Sequence, residues 1–247
     1  MNLKIIACKI IQRELASLAW CCPNTLDITM IRQSYHCTPL LLHDLLQEEI
    51  DRVESDHDPH TNDLETFDAI LLGYGLCSNA LMGLHSSRYP LVIPRAHDCS
   101  TLFMGSRELY QKYFNTYKGA YFYNQSWMEL GKGMDDQYMT RKYNEYMEKF
   151  EDEDTVEYLM QMERDMLANY RYAAYITWPD FSDDDCRKQV KELADEKSWE
   201  YVEICGSNRL LKKMLDGQWD SEDFLIVPPG WKTAADNDNI ICAVPVK

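Results

Sequence analysis

The sequence predicts an α/β fold in which mostly parallel sheets are flanked by helices, as two lobes joined by a helical segment. Three observations lead to this prediction. With 247 residues, 45% of them hydrophobic, the chain can bury a large core. Short apolar runs alternate with stretches that can form helices. A charged stretch with helical periodicity lies between two such alternating regions.

The first region contains four predicted strands, each continuously apolar and therefore expected to be covered on both faces. They are residues 4–8, 26–31, 67–72 and 91–94. Helices are predicted at 10–20 and 39–53, because apolar residues recur there at helical spacing. Right-handed crossovers between parallel strands bring all of their carboxyl ends to one edge of the sheet. Residues that follow these strands are therefore expected to meet.

The middle of the chain, 131–170, is predicted to be helical. A second helix is expected to start at Asp154, with Glu157 completing a capping box. The periodicity of the preceding helix predicts one face packed in a core, formed by Met139, Tyr143, Tyr146, Met147 and Phe150.

The last third repeats the alternation of strands and helices, with predicted strands at 173–178, 201–205, 224–227 and 240–244. We therefore predict a first lobe at 1–130, a helical connector at 131–170 and a second, smaller lobe at 171–247. One continuous sheet is the alternative.

The composition argues against nucleic-acid and membrane partners. The formal net charge is −16, from 41 acidic and 25 basic residues, whereas nucleic acids and anionic membranes are bound through clusters of Lys and Arg. The apolar run at the amino terminus is interrupted at Lys9, Arg13 and Glu14, unlike a signal peptide. No stretch is apolar for long enough to span a bilayer. We expect a cytoplasmic protein that binds a small molecule or another protein.

One candidate binding segment, Gly73-Tyr-Gly-Leu-Cys77-Ser-Asn79, follows an apolar predicted strand and precedes a predicted helical stretch. Its glycines let the backbone turn sharply and approach a ligand. Backbone N–H groups at the start of a helix favour an anion or a thiolate. We predict that Gly73, Gly75 and Asn79 bind a cofactor and that the pKa of Cys77 is lowered. The segment is an incomplete dinucleotide fingerprint, because Ser78 stands at the third glycine position.

A second candidate segment, Pro94-Arg-Ala-His97-Asp-Cys99-Ser-Thr101, directly follows the fourth predicted strand. In an extended or loop backbone, His97 and Cys99 can converge on one ion, and imidazole and thiolate are ligands suited to zinc. Asp98 could accept a hydrogen bond from a metal ligand, and Arg95 could hold an anionic substrate group. The alternative is that Asp98 caps a helix and Cys99 is a buried core residue.

Cysteines and one histidine at the ends of three predicted strands indicate a metal site. The nine cysteines are expected to be free thiols or metal ligands, because the cytosol keeps ordinary pairs reduced. Cys8 ends the first strand, where a lone cysteine is usually a small core residue. Together, however, Cys8, Cys77, His97 and Cys99 suit a structural zinc, or a catalytic zinc if one position stays open. An iron–sulfur cluster is the alternative, although the chain lacks the CxxC spacing of many clusters.

His36, in Tyr35-His-Cys-Thr-Pro39, ends the second predicted strand region and is expected near the same edge. Its imidazole is a candidate general acid or base, and the alternative role is a polar contact that caps the next helix. His36 and Arg95 are the predicted catalytic residues.

At these residues the chain resembles the protein family of unknown function numbered 1638, found in anaerobic bacteria and methanogenic archaea. The matching motifs are IIAC at the start, YHxTP at 35–39, GYGLCSNAL at 73–81, IPRAHDC at 93–99 and DFLIVPPG at 223–230. The resemblance implies a link to corrinoid-dependent methyl metabolism, with a corrinoid protein as a partner. It also suggests an analogy to zinc methyltransferases, in which His97, Cys99 and Cys77 would hold the metal that activates a thiol.

Three functional hypotheses follow. In the first, the chain is a zinc-dependent, thiol-activating methyltransferase of one-carbon metabolism, and Arg95 and His36 position a small-molecule substrate. In the second, it is a non-catalytic carrier or assembly factor for a metal, an iron–sulfur cluster or a corrinoid. In the third, a structural zinc stabilises a module that binds a small molecule.

Overall fold

The structure, a computed structural model, describes residues 1–33, 35, 38–55, 66–77, 79–130, 137–178, 181, 184–237 and 239–246. The chain divides into two compact units: Met1–Tyr110 together with Ser207–Lys247, and Gln111–Gly206. Parallel strands flanked by helices dominate both units, so the predicted α/β class is confirmed. Among the described helices, none has the length and apolarity that a membrane crossing requires.

The first unit opens with alternating strands and helices. Its elements are β1 (Asn2–Cys8), α1 (Gln12–Ala19), β2 (Thr25–Ile31), α2 (Pro39–Glu54), β3 (Ala69–Gly73), β4 (Leu91–Pro94), α3 (Cys99–Met104) and α4 (Arg107–Thr116), of which the last continues into the second unit. Every residue of β3 and β4 is buried, as is β1 after its first residue. These strands are continuously apolar because both of their faces are covered.

The second unit is built on a smaller parallel sheet. Its elements are β5 (Ala120–Tyr123), α5 (Gln125–Leu130), α6 (Tyr138–Phe150), α7 (Glu153–Leu167), β6 (Tyr172–Thr177), α8 (Asp184–Glu196) and β7 (Glu200–Cys205). The three strands pair in the order β5-β6-β7. Tyr123, Tyr175 and Val190 belong to the buried cluster that packs α8 on this sheet.

The helices α6 and α7 differ from their predicted packing. No described residue of α6 is buried, and Tyr143 and Phe150 are exposed. The predicted core face is therefore wrong: α6 packs against α7, and this contact covers its apolar residues only in part. The second helix, α7, begins at Glu153 and not at the predicted Asp154. Asp152 caps it, because its side chain accepts a hydrogen bond from the Thr155 N–H at 2.9 Å.

The chain then returns to the first unit through α9 (Arg209–Asp216), β8 (Phe224–Val227), β9 (Trp231–Asp236) and β10 (Ile240–Pro245). β8 pairs with β4 in the antiparallel direction and completes a five-stranded sheet, in the order β2-β1-β3-β4-β8. β9 and β10 form a separate antiparallel pair. Residues 224–227 therefore belong to the first sheet, whereas the sequence placed them with the second lobe. The described strands form three sheets, which excludes the continuous sheet for this part of the chain.

The connection between β3 and β4 also differs from the prediction. The described residues of 74–90 form turns and contain no helix. Cys77 and Asn79 have φ angles of 44° and 67°, and Gly83 has 91°. A right-handed helix cannot continue through residues in the left-handed region. The segment after Gly73 is therefore a loop.

Candidate functional site

The candidate site lies at the carboxyl edge of the five-stranded sheet, where the order of the strands reverses. β1 is followed in sequence by its neighbour on one side, β2, and the chain then crosses to its other side, β3. Ligands of open α/β sheets bind at such a switch point. Ala7 is paired with Gly73, so the next residues along the two strands, Cys8 and Tyr74, leave the sheet side by side.

Two glycines allow the loop after β3 to pack closely on its surroundings. A Cβ atom on Gly73 would lie 2.6 Å from the Cβ of Ala7, and one on Gly75 would lie 2.7 Å from the Cα of Asp98. The Leu76 N–H also donates to the Ala96 carbonyl at 2.9 Å. The glycines thus bring the segment that carries Cys77 against the segment that carries Cys99. Their observed role is close backbone contact, while cofactor binding by Gly73 and Gly75 stays a prediction.

Three thiols gather at this edge. Burial raises the pKa of Cys8 to about 11. Burial, followed by the charge of Cys8, raises the pKa of Cys77 to about 12. The pKa of Cys99 is raised well above its ordinary value by burial, then by Asp98, Cys77 and Cys8. Each sulfur is therefore close enough to the others for their charges to interact. The expected lowering of the Cys77 pKa is wrong, because no helix follows this residue and its thiol is buried.

Two of these thiols, Cys8 and Cys77, also have a backbone hydrogen bond that favours the thiolate. The bond comes from the backbone of Ile10 for Cys8 and from that of Gly75 for Cys77. These bonds lower the pKa values of Cys8 and Cys77 and partly offset burial. Hydrogen bonds to sulfur are a feature of sites in which thiolates hold a metal or a cluster.

Cys77 has an unfavourable backbone conformation. Its φ of 44° lies in the left-handed region, where residues other than glycine are uncommon and Asn, as at Asn79, is better tolerated. Strained residues of this kind concentrate at functional sites, and each costs about 1–3 kcal/mol. Asn79 itself is exposed.

Asp98 caps a helix, as in the alternative interpretation of its segment. One carboxylate oxygen accepts a hydrogen bond from the Ser100 N–H at 2.9 Å, at the start of α3. The other accepts a hydrogen bond from the Tyr110 hydroxyl, also at 2.9 Å. Burial and then the charge of Asp98 raise the pKa of Tyr110. The carboxylate thus fixes the start of α3, and with it the position of Cys99.

His97 is more exposed than the three thiols. Its side chain is exposed, and the centroid of its ring is 6.3 Å from that of Tyr110. In the part of the chain that the structure describes, no group of three or more His, Cys, Asp or Glu side chains is arranged to hold a metal ion. Joint coordination by Cys8, Cys77, His97 and Cys99 therefore stays a prediction.

Tyr74 is a residue that the sequence argument missed. Its side chain is 2% exposed, and its hydroxyl has no hydrogen-bond partner among the described residues. The pKa of Tyr74 is raised by burial and then by the charges of Cys8 and Cys77, so the hydroxyl lies near both sulfurs. The sequence pattern that could have identified Tyr74 is an aromatic residue between two glycines at the end of a buried strand.

Of the two predicted catalytic residues, the structure describes Arg95 and shows its contacts with the C-terminal segment. The guanidinium of Arg95 donates hydrogen bonds to three backbone carbonyls, of Ser221 at 3.0 Å, Asn239 at 2.9 Å and Ile241 at 2.5 Å. These contacts fasten the C-terminal segment to the end of β4. His36 lies outside the described residues.

Fold and site together define an α/β protein with a thiol cluster at the switch point of its larger sheet. A family model described as "Protein of unknown function (DUF1638)" matches residues 30–215, and the chain belongs to this family. No curated protein and no solved structure matches the chain.

Proposed function

We propose that this protein binds a thiophilic metal ion, zinc, through Cys8, Cys77 and Cys99. The observation that supports the proposal is the gathering of three thiols whose pKa values are all raised by burial, those of Cys77 and Cys99 also by the charges of neighbouring thiols. Without a cation, three thiolates in one buried place repel one another. A divalent ion removes this repulsion, and thiolates are the ligands that zinc prefers.

The donor set leaves one position of the metal open. His97 is the fourth donor of the predicted set, and its exposure makes it the donor that a substrate can replace. Three protein ligands and one exchangeable position are typical of a catalytic zinc, whereas four protein ligands are typical of a structural zinc. We therefore propose a catalytic site, in which the metal would lower the pKa of a bound thiol.

The proposed reaction is methyl transfer to a small thiol. The substrate thiol loses its proton to solvent, and its sulfur then attacks the carbon of a methyl group. The new C–S bond forms as the bond between the methyl group and its donor breaks, and the electron pair of that bond stays with the donor. Resemblance to family members linked with corrinoid-dependent one-carbon metabolism supports a methylated corrinoid protein as this donor. We propose a cytoplasmic location on the same basis.

The metal content of cysteine variants tests the first step of this proposal. After anaerobic purification, elemental analysis should find one zinc per wild-type chain and much less in Cys8→Ser, Cys77→Ser and Cys99→Ser. Cys205→Ser is the matched control, because Cys205 is exposed and should not affect metal binding. His97→Ala should retain the metal. Equal metal content in the wild-type protein and all three site variants would refute the site.

The same preparation tests the carrier alternative. Absorption bands of an iron–sulfur cluster or a corrinoid in the wild-type protein, lost in Cys77→Ser but retained in Cys205→Ser, would favour a carrier or redox role. A colourless protein with one zinc favours methyl transfer, because zinc has no visible absorption bands.

A further inference from the structure

The hydroxyl of Tyr74 is a buried donor without a partner, next to the thiol cluster. The side chain is 2% exposed, and no described residue accepts its hydrogen bond. Leaving a buried hydroxyl unpaired costs about 1–3 kcal/mol. The backbone N–H of the same residue is paired, since it donates to the Leu72 carbonyl at 2.9 Å. The hydroxyl is the side-chain group that still lacks a described partner.

Tyr74 lies beside the segments that carry the thiols. Pairing of Ala7 with Gly73 places Cys8 and Tyr74 next to each other at the end of their strands. The glycine on either side of Tyr74 is packed tightly, against β1 on one side and against the Asp98 backbone on the other. The backbone on either side of Tyr74 is thus held against the segments that supply Cys8 and Cys99, and a charge on Cys8 or Cys77 acts on its hydroxyl.

We propose that Tyr74 donates a hydrogen bond to an anionic sulfur ligand, the thiolate of a small-molecule substrate, bound beside Cys8, Cys77 and Cys99. This inference rests on the proposed function and adds the residue that recognises the substrate sulfur. A neutral tyrosine hydroxyl donates well to an anion, and such charge-assisted bonds are about twice as strong as neutral ones. The methylated product is a neutral thioether and a weak acceptor. Tyr74 would therefore favour the substrate over the product.

Binding of a small thiol to cobalt-substituted protein tests this inference. Zinc is replaced by cobalt(II), and 2-mercaptoethanol is added while the sulfur-to-cobalt charge-transfer absorption is followed. Tyr74→Phe should keep the wild-type cobalt content but raise the Kd for 2-mercaptoethanol by about tenfold or more, the loss expected for a hydrogen bond to a charged group. Unfolding of the metal-free variant by urea should show unchanged or higher stability, because the removed hydroxyl has no partner.

Tyr89→Phe is the matched control. The hydroxyl of Tyr89 is also buried and without a partner, but this residue precedes β4, at the opposite edge of the sheet. Its Kd for 2-mercaptoethanol should equal that of the wild-type protein. An equal Kd in Tyr74→Phe, or no response of the wild-type cobalt spectrum to the thiol, overturns this inference while metal binding stands. Failure of the wild-type chain to bind zinc or cobalt overturns the proposed function as well.

Discussion

The thiols of Cys8, Cys77 and Cys99 at the sheet edge differ from the exposed thiols of the chain in burial and therefore in expected reactivity. Burial raises the pKa of Cys8 to about 11 and that of Cys77 to about 12, and it raises the pKa of Cys99 well above its ordinary value. Since the thiolate is the reactive form of cysteine, buried and neutral thiols are protected from alkylation. Cys21 and Cys205 are exposed. A buried cluster and accessible cysteines thus occur in one chain.

Alkylation of the metal-free protein tests this contrast. Brief treatment with iodoacetamide at mildly alkaline pH should modify Cys21 and Cys205 at least tenfold faster than Cys8, Cys77 or Cys99, because each unit between pH and pKa lowers the thiolate fraction about tenfold. Peptide mass spectrometry measures each site. Raising the pH toward 11 should increase the rate at Cys8. Early modification of Cys77 at mildly alkaline pH would contradict the raised pKa.

Gly75 allows two loops to touch through their backbones. Gly75→Ala should destabilise the protein by about 1–3 kcal/mol, the usual cost of overpacking, because the added Cβ would lie 2.7–2.8 Å from backbone atoms of Asp98. Urea unfolding measures the loss. Gly230→Ala is the comparison: its Cβ meets nothing within 4 Å, and its φ of 79° alone should cost about 1 kcal/mol. An equal or smaller loss in Gly75→Ala would argue against the close contact.

At the scale of helices and strands, the carboxylate of Glu54 connects the end of α2 to the turn before β4. Glu54 accepts hydrogen bonds from the Ser87 N–H at 2.7 Å and from the Ser87 hydroxyl at 2.8 Å. Partial burial alone would raise the pKa of Glu54, but hydrogen bonds from Ser86, Ser87 and Arg88 outweigh it and lower this pKa. The ionised carboxylate therefore stabilises the folded chain.

The pH dependence of stability tests the role of Glu54. A carboxylate whose pKa is lower in the folded state adds stability above its unfolded pKa and loses it as the pH falls through its folded pKa. Glu54→Gln should thus lower the urea midpoint at neutral pH, and its difference from the wild-type protein should shrink in acid. Glu48→Gln removes an exposed ion pair with Arg52 and should have little effect. A difference that does not change with pH would contradict the lowered pKa.

At the scale of the whole chain, the C-terminal segment returns to the first unit and supplies one edge strand, β8, of the five-stranded sheet. Its attachment uses Asp223, which precedes β8 and has a side chain 6% exposed. This carboxylate is paired with Arg209 at 2.6 Å and with Lys213, and its backbone carbonyl accepts the Arg95 N–H at 2.8 Å. α9, β4 and β8 are therefore joined at one residue.

Replacing this carboxylate should weaken the first unit. Asp223→Asn should cost about 1–3 kcal/mol, because it removes the negative partner of two cations at a buried position. Asp220→Asn is the matched control: Asp220 also pairs with Lys213, but its side chain is 48% exposed, so its replacement should cost well under half as much. Thermal unfolding compares the two variants. Equal losses would show that burial of Asp223 does not strengthen the pair.

Much of the first sheet and part of the site could be predicted from sequence. The apolar runs that became β1 and β4 matched their strands closely, because strands covered on both faces are continuously apolar. The run that became β2 also matched, although this strand is only partly buried. A second rule, that the carboxyl ends of parallel strands meet at one edge of a sheet, placed Cys8, Cys77 and Cys99 near that edge. The loop after Gly73 was mispredicted as leading into a helix, because the left-handed conformations of Cys77 and Asn79 have no clear signal in the sequence.

The amino-acid pattern therefore established the α/β class, the membership of the family and the edge of the sheet to which three thiols belong. Long-range contacts decided the rest: the antiparallel pairing of β8 with β4, the burial that raises the thiol pKa values, the exposure of His97 and the unpaired hydroxyl of Tyr74. The physical reason is that periodicity records only whether a segment has a buried face. Which segments pair, and which polar atoms lose water, depends on residues far away in the chain.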